Sequence, residues 1–257
     1  MTNAPPPTRF LQLLADEQRW HLVRELARSD RKVGELTELV DRPQNLVSYH
    51  LAGLRNAGIV SSRRSSADGR DTYYRLDVQR CTDLLREVGR EIQPGIRLDV
   101  VAPRGVRPSG RKPAVLFLCT GNSSRSQIAE ALLEHHSRGA IEARSAGSNP
   151  RVLHPNAVRV MAERGIDISE HKTKHLDRFR RSRFDRVITL CDKVREICPE
   201  FPRAATTAHW SMPDPAAESA SDDESYAAFV RTADELESRI PFLINELTQM
   251  RQGEGGK

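Results

Sequence analysis

The chain has 257 residues, of which 38% are hydrophobic and only 5% aromatic, and it carries four cysteines, Cys81, Cys119, Cys191 and Cys198. So few cysteines in this length exclude a secreted disulfide scaffold. No apolar stretch approaches the roughly 20 residues needed to span a bilayer, and the opening MTNAPPPTRF lacks a signal-peptide pattern, so a cytoplasmic protein is expected. The net charge of +5 is unevenly shared: residues 1–112 hold 20 Lys+Arg against 14 Asp+Glu (+6), and residues 113–257 hold 20 against 21 (−1). A basic half beside a near-neutral one suggests two jobs, the first with a polyanionic partner.

In PTRFLQLLADEQRWHLVRELARS, the residues Phe10, Leu11, Leu14, Trp20, Val23 and Leu26 recur at helical spacing, with a break near Asp16. VGELTELV reads as a short helix. RPQNLVSYHLAGLRNAGIV reads as another, opened by Pro43 and closed by Gly58. SSRRSSADGRDTYYRLD then reads as two strands joined around Asp68-Gly69, a strong hairpin signal. A last helix is expected from about Cys81 to Ile92.

This order is that of a winged helix-turn-helix, whose second helix enters the major groove of double-stranded DNA. Gln44, Asn45, Ser48, Tyr49 and His50 supply groups that can read base edges. Arg63, Arg64, Arg70 and Arg75 on the hairpin would meet phosphates or the minor groove. Leu46, Val47, Leu51 and Leu54 are expected on the opposing apolar face. NLVSYHLAGLRNAGIVSSRR closely resembles the recognition helix and wing of arsenical-resistance (ArsR-type) repressors, over about residues 10–92. The resemblance implies a homodimer on a dyad-symmetric operator, with terminal helices at the interface. The paired cysteines that well-known members carry before the recognition helix are missing from GELTELV. Cys81, the one thiol in this half, reads as a small buried hydrophobe.

Between about residues 93 and 113, QPGIRLDVVAPRGVRPSGRKP keeps no helical or strand period and reads as a linker. After it, strands AVLFLC, IEARSAGS and FDRVITLC alternate with helices SQIAEALLEHHS, HPNAVRVMAERG and DKVREIC, before a long amphipathic C-terminal helix. That alternation argues a parallel sheet with helices on both faces. The expected domains are a mainly-α winged helix-turn-helix at 1–95, a linker at 96–112 and an α/β domain with a central parallel sheet at 113–257.

VLFLCTGNSSRSQIAEALL sets Cys119 and Arg125 in C-x5-R spacing between a strand and a helix. The strand delivers the thiol to the carboxyl edge of the sheet, where ligands bind. Thr120, Gly121, Asn122, Ser123 and Ser124 are small enough for their backbone N–H groups to curl around a tetrahedral oxyanion, at a helix N-terminus. Arg125 can grip two oxygens in a bidentate fork. The same donors favour a thiolate, which makes Cys119 a nucleophile, and Ser126 can hydrogen-bond the sulfur.

The stretch resembles the anion-binding loop of the low-molecular-weight tyrosine phosphatases and of the arsenate reductases built on that fold. SAGS, HPNAVRVMAERGIDISEHKTKHL and HWSMPDPA fit the same resemblance, over roughly residues 113–247. The family also has an acid on a separate loop. PDP supplies Asp214, held rigid by two prolines, as the general acid that protonates the departing oxygen.

A phosphatase needs only Cys119, Arg125 and Asp214, whereas a reductase needs further thiols. LCDKVREICPEFP provides Cys191 and Cys198. Seven residues of helix would separate their Cα atoms by about 10.5 Å, beyond the roughly 7 Å limit of a disulfide. The pair can therefore bridge only if the segment unwinds, and Pro199 already weakens its end.

Three cysteines and the RSQ ending of the loop resemble the thioredoxin-coupled arsenate reductases. The resemblance implies attack of Cys119 on arsenate, then a Cys119–Cys191 disulfide with release of arsenite, then a Cys191–Cys198 disulfide reduced by thioredoxin. No bound cofactor or metal is expected. A phosphatase, or a transcription factor using the pocket as an oxyanion (arsenate or phosphate) sensor, are the alternatives.

Overall fold

A computed structural model of the protein describes residues 7–67, 69–96, 98, 111–197, 201, 203–217 and 221–254. Cys198, Asp68 and most of the expected linker lie outside the described residues. The chain divides into two compact units, Met1–Val101 and Ala102–Lys257. Among the described residues no helix is long and apolar enough to cross a membrane.

The N-terminal unit contains α1 (Pro7–Leu14), α2 (Glu17–Arg28), β1 (Arg31–Lys32), α3 (Val33–Val40), α4 (Gln44–Asn56), β2 (Val60–Arg64), β3 (Thr72–Leu76) and α5 (Val78–Ile92). Asp16 makes the expected break by capping α2, its carboxylate accepting from the Arg19 N–H at 2.9 Å. Pro43 stands at the N-cap of α4 rather than inside its first turn. Gly58, at φ +71°, turns the chain out of that helix in the left-handed region that glycine tolerates. The helix α5 starts three residues before the expected Cys81, because Asp77 caps it by accepting from Arg80 N–H at 2.8 Å. Strands β2 and β3 form the expected antiparallel hairpin, with Val60 opposite Leu76. The two-residue β1 adds a third strand, in the order β1-β3-β2. Phe10, Leu22, Leu36, Leu51, Leu54, Ile59 and Leu84 fill the core between these elements.

The C-terminal unit contains β4 (Ala114–Cys119), α6 (Arg125–His136), β5 (Glu142–Gly147), α7 (Pro155–Ala162), β6 (Arg186–Thr189), α8 (Asp192–Ile197), β7 (Thr207–His209) and α9 (Asp222–Glu254), with a 3-10 turn at Leu176–Phe179. The four strands are all parallel, in the order β5-β4-β6-β7. Every residue of β4 and of β6 is buried, as expected of inner strands of a parallel sheet covered on both faces. The sheet ends at Thr189 in β6, so Cys191 lies two residues past the strand instead of closing it. Since Leu118 pairs with Thr189, both Cys119 and Cys191 still emerge at the same carboxyl edge of neighbouring strands.

Candidate active site

Cys119 is 1% exposed. Its Sγ accepts from the Asn122 N–H at 3.2 Å and lies 2.9 Å from Ser126 Oγ. The Asn122 amide donates to that same hydroxyl oxygen at 2.9 Å, so the Ser126 proton is available to a thiolate at Cys119. The Asn122 N–H and the Ser126 hydroxyl thus both face the sulfur.

The loop is held from outside. Backbone N–H groups of Asn149, Arg151 and His154 donate to the carbonyls of Thr120, Gly121 and Ser123 at 2.9, 2.8 and 2.9 Å, and Ile128 N–H donates to Ser124 O at 3.0 Å. Carbonyl oxygens that would repel an oxyanion are therefore occupied by neighbouring chain. Asn122 sits at φ +46°, a left-handed conformation uncommon for a residue with a side chain. Its side chain holds it there. It donates to Ser126 and to Ser145 Oγ (2.8 Å), and it accepts from Lys174 N–H (2.7 Å) and Gln127 Nε2 (3.3 Å).

Behind that amide, Ser145 donates to Glu130, and Lys174 Nζ donates to both Glu130 oxygens at 3.3 and 3.0 Å. Sequence reasoning missed Gln127, Glu130, Ser145 and Lys174 as supports, since they meet only through the tertiary fold. Glu130→Gln leaves a largely buried ammonium without its anion. We expect the C-terminal unit to lose about 1–3 kcal/mol in urea unfolding, with part of the loss recovered by adding Lys174→Met.

Arg125 is 3% exposed. Its Nη1 donates to Met212 O at 3.1 Å, and its Nη2 lies 3.1 Å from Asp214 Oδ2. Its buried Nε has no hydrogen-bond partner among the described residues. Such an orphan donor beside a nucleophile fits an oxyanion. Asp214 is half exposed and so remains open to solvent while paired with Arg125.

Cys191 is also buried and unbridged. Its Sγ lies 3.2 Å from Thr120 Oγ1, the residue next to Cys119, and accepts from Val194 N–H at 3.4 Å. The structure thus brings Cys119, Arg125, Asp214 and Cys191 to one edge. Cys81, in the other unit, is half buried, and desolvation pushes its thiol up to about 12. Among the described residues, no group of three or more His, Cys, Asp or Glu is arranged to hold a metal.

His154 stacks on Phe229 with ring centroids 4.5 Å apart, and its Nδ1 accepts from Asn156 N–H at 3.1 Å. Burial lowers its pKa against the raising pull of Asp214 and Asp222. The folded state therefore prefers the neutral ring. The stability this gives is complete above the unfolded pKa, near 6.5, and is lost as pH falls through the lower folded value. Urea midpoints of the wild type are expected to drop more steeply from pH 7.5 to 5.5 than those of His154→Phe.

In the N-terminal unit, α4 exposes Gln44, Asn45, Ser48 and Tyr49, the last 73% exposed. His50 differs: it is buried, with Nδ1 3.6 Å from Asp16 Oδ1. Leu46, expected on the apolar face, is 37% exposed. On the hairpin, Arg64 and Arg70 are exposed, Arg63 is half buried, and Arg75 Nε donates to Ser61 Oγ at 2.8 Å.

A parallel sheet with a cysteine loop, a buried arginine and an aspartate poised over it defines a class. The chain belongs to the family described as low molecular weight phosphotyrosine protein phosphatase, which residues 114–253 match. Residues 16–62 match the bacterial regulatory protein, arsR family, so an arsR-type helix-turn-helix precedes the phosphatase-like domain. Curated proteins similar to this chain include arsenate reductases. That of Halalkalibacterium halodurans is 40% identical over 129 residues, covering 50% of this chain and 93% of the relative. That of Bacillus subtilis is 38% identical over 126 residues, covering 49% and 91%. Among solved structures, an arsenate reductase in the phosphate binding state is 30% identical, with a TM-score of 0.47 over 52% of this chain and 98% of that one. A thioredoxin-dependent arsenate reductase of Corynebacterium glutamicum is 31% identical, with a TM-score of 0.43 over 55% and 64%.

Proposed function

We propose that the chain reduces arsenate to arsenite with electrons from thioredoxin, and that its arsR-type domain binds double-stranded operator DNA as a homodimer. The observation that carries the enzymatic reading is the second buried thiol: Cys191 touches Thr120, directly beside Cys119. A phosphatase has no use for it.

In the proposed cycle, arsenate enters the loop 119–126, where backbone N–H groups and Arg125 Nε bind its oxygens. Cys119 attacks arsenic, forming an S–As bond, while Asp214 protonates the oxygen that leaves as water. The Cys191 thiolate then attacks Cys119 Sγ. An S–S bond forms, the S–As bond breaks, and its electron pair stays on arsenic, which departs as arsenite. Cys198 attacks Cys191 next, freeing Cys119, and thioredoxin reduces the Cys191–Cys198 bridge as its own dithiol is oxidised. Unwinding of the six-residue α8 is needed for that bridge, because a helix holds its ends too far apart.

On the DNA side, Gln44, Asn45, Ser48 and Tyr49 are the proposed base readers, with Arg63, Arg64 and Arg70 on phosphates. The buried His50 would act through the seating of α4.

One addition of arsenate to fully reduced protein, followed by peptide mapping, tests the cycle. A Cys191–Cys198 disulfide in wild type and a Cys119–Cys191 disulfide in Cys198→Ser are expected. Four free thiols after arsenate would refute it.

A further inference from the structure

Around Cys191 lies a buried polar cluster that the cycle above leaves unused. Asp192, 0% exposed, follows the thiol directly, and its Oδ1 lies 3.0 Å from His209 Nε2 and accepts from Ser211 Oγ at 2.7 Å. His209 is 2% exposed. The other side of its ring, Nδ1, lies 2.8 Å from Thr189 Oγ1 and 3.0 Å from the Thr189 carbonyl oxygen. With its Nε2 proton the ring donates to Asp192, while Nδ1 accepts from the Thr189 hydroxyl or, when also protonated, donates to the Thr189 carbonyl. The imidazole therefore spans the turn that carries Cys191, with Thr189 before it and Asp192 after it.

Two further restraints on Cys191 come from the chain that follows it. Val194 N–H reaches its Sγ at 3.4 Å and Arg195 N–H its carbonyl at 3.1 Å. Both belong to the short helix that must unwind before Cys191 can meet Cys198, so both are lost in that step. The bridge through His209 comes from β7 and grips only the first residue of that helix, Asp192, so it survives unwinding of the residues beyond it.

We propose that His209 is a positioning residue. By tying Asp192 to Thr189 across Cys191, it keeps that thiol beside Thr120 and within reach of Cys119 while the chain beyond Asp192 loosens. The inference rests on the three-thiol reading above. Its consequence is specific. Capture of the anion and the nucleophilicity of Cys119 do not need the bridge, whereas attack of Cys191 on Cys119 does.

Two amide variants of the full chain separate the halves of the bridge, because the Asn amide falls near the imidazole Nδ1 and the Gln amide near Nε2. His209→Asn keeps a partner for Thr189 and loses Asp192. His209→Gln keeps Asp192, and β7 stays tied to Thr189 through the backbone, where Trp210 N–H donates to Thr189 O at 2.9 Å. Both are made in a Cys198→Ser background, so that one addition of arsenate stops at the Cys119–Cys191 disulfide, followed by thiol counting against time. In parallel, iodoacetate alkylation of Cys119 and its protection by inorganic phosphate report the loop alone.

His209→Asn is expected to form the disulfide at least tenfold more slowly, with alkylation and phosphate protection within twofold of the parent and with His209→Gln recovering most of the rate. Three results overturn the assignment: wild-type disulfide rates in His209→Asn, equal losses of disulfide formation and phosphate protection, or a His209→Gln as slow as His209→Asn. If the parent itself loses no thiols on adding arsenate, the three-thiol reading has failed and the inference falls with it.

Discussion

Cys119→Ser is expected to abolish arsenate-dependent thiol oxidation, lowering turnover by about 10^4-fold or more, while phosphate still binds. The geometry predicts this separation. A serine hydroxyl is a far weaker nucleophile than a cysteine sulfur, and the other described thiol of this unit, Cys191, faces Thr120 and Val194 instead of Asn122 and Ser126. In the proposed cycle the anion is gripped by Arg125 and the loop backbone, which the substitution leaves in place. Phosphate titration by calorimetry, together with thiol counting after arsenate, checks both halves. Loss of phosphate binding would mean that the sulfur, and not the loop, organises the site.

The second large effect falls on a residue with no chemistry of its own. A Cβ placed on Gly147 would sit 2.5 Å from Thr120 O, 2.8 Å from Asn122 N and 3.0 Å from Asn122 Cβ. All of these atoms belong to the anion loop, and two of them are backbone, so no side-chain rotation relieves the clash. Gly147 also ends β5, opposite Cys119 in β4, and its own N–H donates to Lys174 O at 2.9 Å, which leaves it little room to retreat. Gly147→Ala must push the loop away from its bonds. An overpacked contact of this kind costs about 1–3 kcal/mol, or roughly 10–100-fold in affinity. Phosphate binding is expected to weaken by that factor, with the circular dichroism of the domain unchanged. An alanine variant that binds as wild type would show that the loop is softer than its hydrogen bonds imply.

Much of this arrangement was legible in the chain itself. The run AVLFLC ends at Cys119 because an inner parallel strand is apolar throughout and stops at the carboxyl edge of the sheet. The break at Asp16 and the stop at Gly58 follow from a cap and a left-handed turn. Val47, His50, Leu51 and Leu54 form a single helical stripe, so the spacing already turns His50 inward and sets Leu46 off to one side. Strands β1 and β7 were not legible, at two and three residues, because they carry no period and exist through their pairing with β3 and β6. The supports of the site were hidden for another reason. Glu130, Ser145 and Lys174 sit on α6, on β5 and in the segment after α7, and nothing local links them. His209 and Asp192 are likewise 17 residues apart and meet only across the sheet edge.

The measurement that bears most directly on the three-thiol cycle is NADPH oxidation with arsenate, thioredoxin and thioredoxin reductase, comparing wild type with Cys198→Ser. Sustained arsenate-dependent oxidation in wild type, falling in Cys198→Ser to no more than a single turnover per chain, is the predicted result. A wild type that consumes no NADPH yet hydrolyses a phenyl phosphate ester, or a Cys198→Ser variant that turns over as fast as wild type, would contradict the cycle.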